Sequence, residues 1–401
     1  MFFSADLMPR NGDQFYPFRQ QSDFFYLSGI DQEKSVLILA PDHPEEKFRE
    51  MLFIIEADAK ITRWEGHKIN RSEGRTISGI EHVLWLEDFD LRLRQMMQWC
   101  EQVYLNSDEN PALSTEVVLA NQRFANDLRT AYPAHHILRS ASILAGLRMV
   151  KSKAEIALMQ QAINITGKAF DRVLKFVKPG VGEYQVQAEI EHEFAFNQAR
   201  NYAYPTIVAA GANSCVLHYS KNNKLCGDGD LLLLDFGAEY NHYAADISRT
   251  IPVNGKFSPR QRELYALVLR LQKLAICEMV PGNTLQKLND RVGKAMEKDL
   301  IKIGLLDADA VKAQDDEKPL YKKYFMHGTA HHLGLDVHDA CDKYRPFEPG
   351  MVLTCEPGIY VSGENIGIRI ENNILITEQE PIDLSVYIPR EMDEIEALMR
   401  G

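Results

Sequence analysis

The chain has 401 residues, 45% hydrophobic and 25% charged, with 45 Lys and Arg against 57 Asp and Glu for a formal net charge of −12. That length supports two domains, each with its own core, and the acidic balance excludes a basic nucleic-acid-binding surface. No run approaches the roughly 20 apolar residues of a membrane span, the N-terminus lacks a secretory pattern, and the six cysteines fit no zinc module, so a cytoplasmic protein with reduced thiols and no membrane partner is expected.

Residues up to about 140 alternate apolar runs with helical stretches. The runs 35–40 and 50–55 are read as buried strands, 91–103 as a helix, and Tyr104-Leu105 as the start of another strand. Strands alternating with helices predict a small three-layer domain. A second regime begins near residue 150. Ser152 and Glu155 form a capping box. Ile156, Met159, Ile163, Phe170, Val173 and Phe176 then recur at helical spacing until Pro179-Gly180 stops the helix. A second helix is predicted over about 183–200. The pattern returns as a helix over 265–279, Pro281-Gly282, and a helix over about 285–300. Each helix pair precedes a segment with two acids, so this half reads as an internal duplication. The polar stretch 307–318 is read as a surface connection.

Asp235 and Asp246 flank Tyr240-Asn241 symmetrically, and Glu356 and Glu371 flank Gly363-Glu364. In hairpins of that register each pair would lie directly opposite, about 4.5–5.5 Å apart at Cβ. Like charges so placed destabilise a sheet unless a cation lies between them, so two matched pairs predict a site for two divalent ions. Ile366, Ile368 and Ile370 alternate with Gly367, Arg369 and Glu371. Period two puts the isoleucines against helices and Arg369 with Glu371 on a cavity face. Residues 326–338 hold four of the twelve histidines, His327, His331, His332 and His338, among glycines. Neutral imidazole is a common ligand for first-row metals. The spacing does not say which histidine ligates.

The segment His327-Gly-Thr-Ala-His331-His-Leu-Gly-Leu-Asp-Val-His338-Asp resembles the histidine signature of the proline-specific, pita-bread metallopeptidases, the Xaa-Pro aminopeptidases (aminopeptidase P) and prolidases. Leu234-Asp-Phe-Gly with Asp246, Cys355-Glu-Pro-Gly-Ile-Tyr360 and Gly367-Ile-Arg-Ile-Glu371 match further family motifs in order. So do Tyr204-Pro-Thr-Ile-Val and Val216-Leu-His-Tyr219, and the segment 15–29 is similar to the family's opening motif. The resemblance implies an α/β (α+β) protein. Residues 1–145 would form a small mixed α/β domain of the creatinase/aminopeptidase P type. Residues 146–401 would form a catalytic pita-bread domain, a curved, mainly antiparallel sheet covered by helices.

The resemblance also implies five metal ligands. Asp235 would hold one ion, Asp246 and Glu371 would bridge two, and His331 and Glu356 would complete the shell of the second ion. Oxygen-rich ligation with one nitrogen suits Mn²⁺, with Zn²⁺, Co²⁺ or Fe²⁺ as alternatives. Two such ions can acidify a bridging water and polarise the scissile carbonyl. Glu356 would relay the proton, His338 would contact substrate near the scissile bond, and His218 would help form the proline pocket and stabilise developing charge. His327 would line that pocket, and Tyr204 and Tyr360 would form hydrogen-bonding walls. Arg369 would either orient the ligands or bind a substrate carboxylate. Trp64 is read as an ordinary, partly buried residue. The implied activity is removal of the N-terminal residue from peptides with proline second, by a homodimer or homotetramer. The alternatives are a prolidase confined to Xaa-Pro dipeptides and a pita-bread binding module without activity.

Overall fold

The computed structural model describes residues 1–107, 116–315 and 317–400. The chain separates into two compact units, Met1–Ala145 and Gly146–Gly401.

In the first unit a four-stranded sheet runs in the order Phe2–Phe3, Val36–Leu39, Glu50–Ile54, His82–Trp85. The first three strands are antiparallel neighbours, and the fourth runs parallel to Glu50–Ile54. Alternation sorts their side chains. Val36, Ile38, Met51 and Phe53 pack with Phe89, Leu93, Met96 and Met97 of helix Phe89–Trp99. Leu37, Leu52, Ile54 and Val83 face the other way, onto Phe24, Ile30 and Ile80. The three-layer expectation is met. Trp64 departs from its reading: it is 80% exposed, because the short helix Ala59–Glu65 buries none of its residues.

In the second unit Ser152 and Glu155 exchange capping bonds and open helix Lys153–Phe176. Helix Glu183–Phe196 follows and stops short of the expected position. The next helix, Pro259–Glu278, starts six residues earlier than expected, because Ser258 caps it and Pro259 suits its first turn. Its companion is Leu285–Lys302. The connection 307–318 contains a short helix, Ala308–Lys312.

All strand pairs described in this unit are antiparallel. Ile207–Ala210, Leu231–Phe236 and Ile247–Pro252 form one sheet, and Val352–Cys355, Asn372–Leu375 and Ile382–Asp383 another. Gly358–Val361 pairs with Ile366–Arg369. The two hairpins meet side by side: the Glu371 N–H donates to the Ser248 carbonyl at 3.0 Å, and the Thr250 hydroxyl bonds the Arg369 backbone.

The register of the second hairpin is the expected one. Cys355 faces Asn372 and Gly358 faces Arg369, which brackets Glu356 opposite Glu371. The first hairpin differs by two residues. Asp235 faces Ser248, and Tyr240 faces Tyr243, so Asp246 lies diagonal to Asp235 rather than across from it. The cause is the turn. Asn241 and His242 both have positive φ, 46° and 67°, the pattern of a two-residue hairpin loop whose twist matches that of the strands. The loop centre therefore falls one residue later than symmetry about the acids suggests. Since side chains repeat every two residues, the shift keeps both aspartates on one face. Gly237 permits the arrangement: a Cβ there would sit 1.8 Å from the Ala245 carbonyl oxygen.

Beneath this face Arg249 is fully buried. It donates to the carbonyls of Pro389 and Ile388 at 2.8 and 3.0 Å, and to those of Ser248 and Glu371 at 2.9 and 2.6 Å.

Candidate metal centre

The acidic face opens on a cavity of ≈ 660 Å³ whose wall includes Asp235, Asp246, Glu356, Glu371, His331, His338, His218, His327, Tyr204 and Arg369. All ten lie in the motifs read from the sequence. Asp235 is the penultimate residue of the apolar strand Leu231–Phe236, and Asp246 immediately precedes Ile247–Pro252. Glu356 and Glu371 flank the inner hairpin, where Pro357 interrupts the ladder. One ligand atom from each of Asp246, His331 and Glu371 lies within 4.8 Å of the other two. His331 Nε2 is 3.3 Å from Asp246 and 3.6 Å from Glu356.

The charges do not balance internally. Four carboxylates share one guanidinium, Arg369, which reaches Asp235 Oδ2 at 2.5 Å. Burial, with Asp246, Glu356 and Asp235 nearby, holds Glu371 well above the usual carboxylate range. Burial also lifts Asp235 despite Arg369, and brings Glu356 to about 7 despite His331. Burial alone would depress His331, but Asp246 and Glu356 outweigh it and hold the imidazole at about 9. Buried carboxylates that resist ionisation, arranged around an imidazole drawn toward its charged form, are short of positive charge. Divalent cations supply it, and a donor set of carboxylate oxygens with one imidazole fits them.

The supporting contacts give several residues a more specific placement than the sequence could. The Tyr204 hydroxyl lies 2.6 Å from Oδ1 of both Asp235 and Asp246. Arg369 is engaged on every side, donating to Asp235, to the Tyr360 hydroxyl at 2.7 Å and to Ser248 Oγ at 2.8 Å. Tyr360 is 2% exposed and sits behind His327, whose Nε2 is 2.8 Å from its hydroxyl. Burial, reinforced by Arg369, depresses His327 to about 4, so that ring is neutral at physiological pH. His338 stacks on His331 with ring centroids 4.1 Å apart. His218 stands exposed on the loop after Ile207–Ala210.

Three further residues were not singled out from the sequence. Ser248 donates to Glu371 Oε2 at 2.7 Å while accepting from Arg369, and so links the two. Its signal was available: two residues beyond Asp246, it shares that residue's face. Glu183 is fully buried and accepts from Ala210 N, Asn213, the Tyr219 hydroxyl and Lys224 N, tying down the loop that bears His218. Asp339, next to His338, accepts from Arg148 at 2.5 Å and Lys151 at 2.9 Å. Burial would raise its pKa, but Lys151 and Arg148 prevail and bring it to about 2. No sequence pattern links Glu183 or Asp339 to such distant partners.

Comparison with known proteins agrees with this geometry. Residues 157–378 match the model of metallopeptidase family M24, and residues 1–104 match that of the aminopeptidase P N-terminal domain. The Xaa-Pro aminopeptidase of Haemophilus influenzae is 37% identical over 100% of this chain and 92% of its own length. A Bacillus anthracis structure assigned to aminopeptidase P superposes with a TM-score of 0.92 at 33% identity, covering 100% of this chain and 93% of that one. The zinc-substituted Escherichia coli aminopeptidase P, solved with product, gives 0.88 at 34% identity, covering 99% and 93%. With the whole chain aligned and the acidic centre in place, this protein belongs to metallopeptidase family M24, in its aminopeptidase P group.

Proposed function

We propose that the protein is an Xaa-Pro aminopeptidase, a hydrolase that releases the N-terminal residue from peptides with proline in the second position. The observation that carries this is the convergence of Asp235, Asp246, His331, Glu356 and Glu371 on one cavity whose other walls are apolar, aromatic and imidazole surfaces. Residues 146–401 are the catalytic domain, and residues 1–145 a creatinase/aminopeptidase P-type N-terminal domain. The five residues named would hold two divalent ions, Mn²⁺ in preference to Zn²⁺, Co²⁺ or Fe²⁺. When bound, these ions would acidify a water and polarise the scissile carbonyl.

The remaining chemistry belongs to side chains. Glu356 takes the proton of the attacking water and delivers it to the proline nitrogen as the bond breaks. His338 and His218 reach the cavity from opposite segments and contact the substrate at the scissile bond and the proline ring. Leu217, Ile207 and the neutral His327 ring offer faces on which a pyrrolidine packs. Arg369 acts by orienting Asp235 and, through Ser248, Glu371; a bond from each of its three nitrogens to a group of the centre supports that role over capture of a substrate carboxylate. The six free cysteines support a cytoplasmic setting, and the family resemblance supports a homodimer or homotetramer.

Turnover of an Xaa-Pro dipeptide and an Xaa-Pro-Xaa tripeptide, measured after chelation with each metal added back, tests the reading. Cleavage of the tripeptide before proline, restored by Mn²⁺, is the expected result. Turnover confined to the dipeptide would make the enzyme a prolidase. No bound metal and no peptidase activity would make it a binding module.

A further inference from the structure

One rung of the second hairpin grips two of the proposed ligands at once. Thr354 and Asn373 are Cα partners in the ladder, and both are fully buried. Each lies two residues from an acid of the centre, Thr354 from Glu356 and Asn373 from Glu371, so alternation puts all four on one face. The Thr354 N–H donates to the His331 carbonyl at 2.9 Å, and the His331 N–H donates to Thr354 Oγ1 at 3.1 Å. Across the rung, the Asp246 N–H donates to Asn373 Oδ1 at 3.2 Å, and Asn373 Nδ2 donates to the Asp246 carbonyl at 2.5 Å. Each rung residue therefore pairs with both backbone groups of one ligand residue. An asparagine amide can do this because it carries the donor and acceptor of a peptide group.

His331 and Asp246 come from segments far apart in the chain, yet their side chains meet at 3.3 Å. Asp246 also shares the cavity wall with three like-charged carboxylates, which oppose its place there. We propose that Thr354 and Asn373 are positioning residues of the metal centre. Their rung fixes the spacing of His331 and Asp246 before any ion arrives, so binding does not bear the cost of ordering them. The inference rests on ligation by His331 and Asp246 as read above.

The test uses the full-length protein stripped by chelation, with Mn²⁺ affinity measured by equilibrium dialysis and folding checked by circular dichroism. Thr354→Val, which keeps shape and removes the hydroxyl, is expected to weaken Mn²⁺ binding by about 10–100-fold. Thr354→Ser is expected to restore it. Asn373→Asp, which keeps the acceptor and removes the donor, is expected to cause a loss of similar size. In a His331→Ala background Thr354→Val should cost less than in the parent, leaving only its 3.5 Å contact with Glu356, whereas Asn373→Asp should still weaken binding, since its partner Asp246 remains. Metal-free Thr354→Val should also exchange the His331 amide hydrogen faster than the parent.

An unchanged affinity in Thr354→Val, or a loss as large in the His331→Ala background as in the parent, would overturn the proposal. Should Thr354→Val not fold, Asn373→Asp decides in the same way against an Asp246→Ala background. If His331→Ala itself leaves Mn²⁺ affinity intact, the ligand assignment fails rather than the rung.

Discussion

Asp339→Asn isolates one charge at the edge of the centre. The substitution keeps shape and leaves Arg148 and Lys151, which are 4% and 1% exposed at their side chains, without their shared carboxylate. Removing one partner of a buried ion pair costs about 3–5 kcal/mol. Arg148 retains Asp336, which is 43% exposed and therefore worth little. Among the described residues Lys151 retains only the Met149 carbonyl at 3.5 Å. We expect a loss of about 3 kcal/mol, the low end of that range, at pH 7. The pH dependence has a defined sign. The folded pKa is about 2, below the ordinary 3.8, so the contribution is present above pH 3.8 and disappears as pH falls toward 2. The difference between parent and variant should shrink by about 2 kcal/mol over that window. All three tryptophans, Trp64, Trp85 and Trp99, lie in the first unit. Urea unfolding followed by fluorescence therefore serves as an internal control, and helical circular dichroism reports the second unit as well. A shift below about 1 kcal/mol at pH 7, or a shift confined to the fluorescence transition, would refute the reasoning. Lys151→Met in the variant background should recover part of the loss. Because the Asp339 segment carries His338 against His331, kcat/KM should fall as well, by about 10²-fold.

Other perturbations reach the centre directly. Glu356→Gln should abolish nearly all turnover with circular dichroism unchanged; retention of most activity would remove Glu356 from proton transfer. Asp246→Asn should lower the content of both ions when metal is counted by mass spectrometry, and loss of only one would argue against a shared ligand. Gly237→Ala should disrupt the first hairpin, since its Cβ would overlap the Ala245 carbonyl; a melting temperature within a degree or two of the parent would contradict the packing described.

Much of this was legible in the sequence, and the reasons are physical. Capping boxes are local, so Ser152–Glu155 marked a helix start that the structure keeps. Alternation is local too, and it placed the isoleucines and Arg369 on opposite faces. The register of the first hairpin was not legible from acid symmetry. It depends on which two residues adopt positive φ, and Asn241-His242 carries a weaker turn signal than Asn-Gly. Tyr360 was expected as a hydrogen-bonding wall, but spacing does not say that its hydroxyl lies between Arg369 and His327. Contacts such as Glu183 with Tyr219, or Asp339 with Lys151, join residues whose identities alone are unremarkable. They become visible only when the topology brings them together.

Arg249 gives the end of the chain a stake in the centre. Its guanidinium meets the carbonyls of Ile388 and Pro389 with one side and that of Glu371 with the other. A polypeptide cut off before Ile388 would strand a buried cation just below Glu371. The last fourteen residues, which include no acid of the site, are thus a foundation stone of the acidic chamber, and trimming them would be felt there.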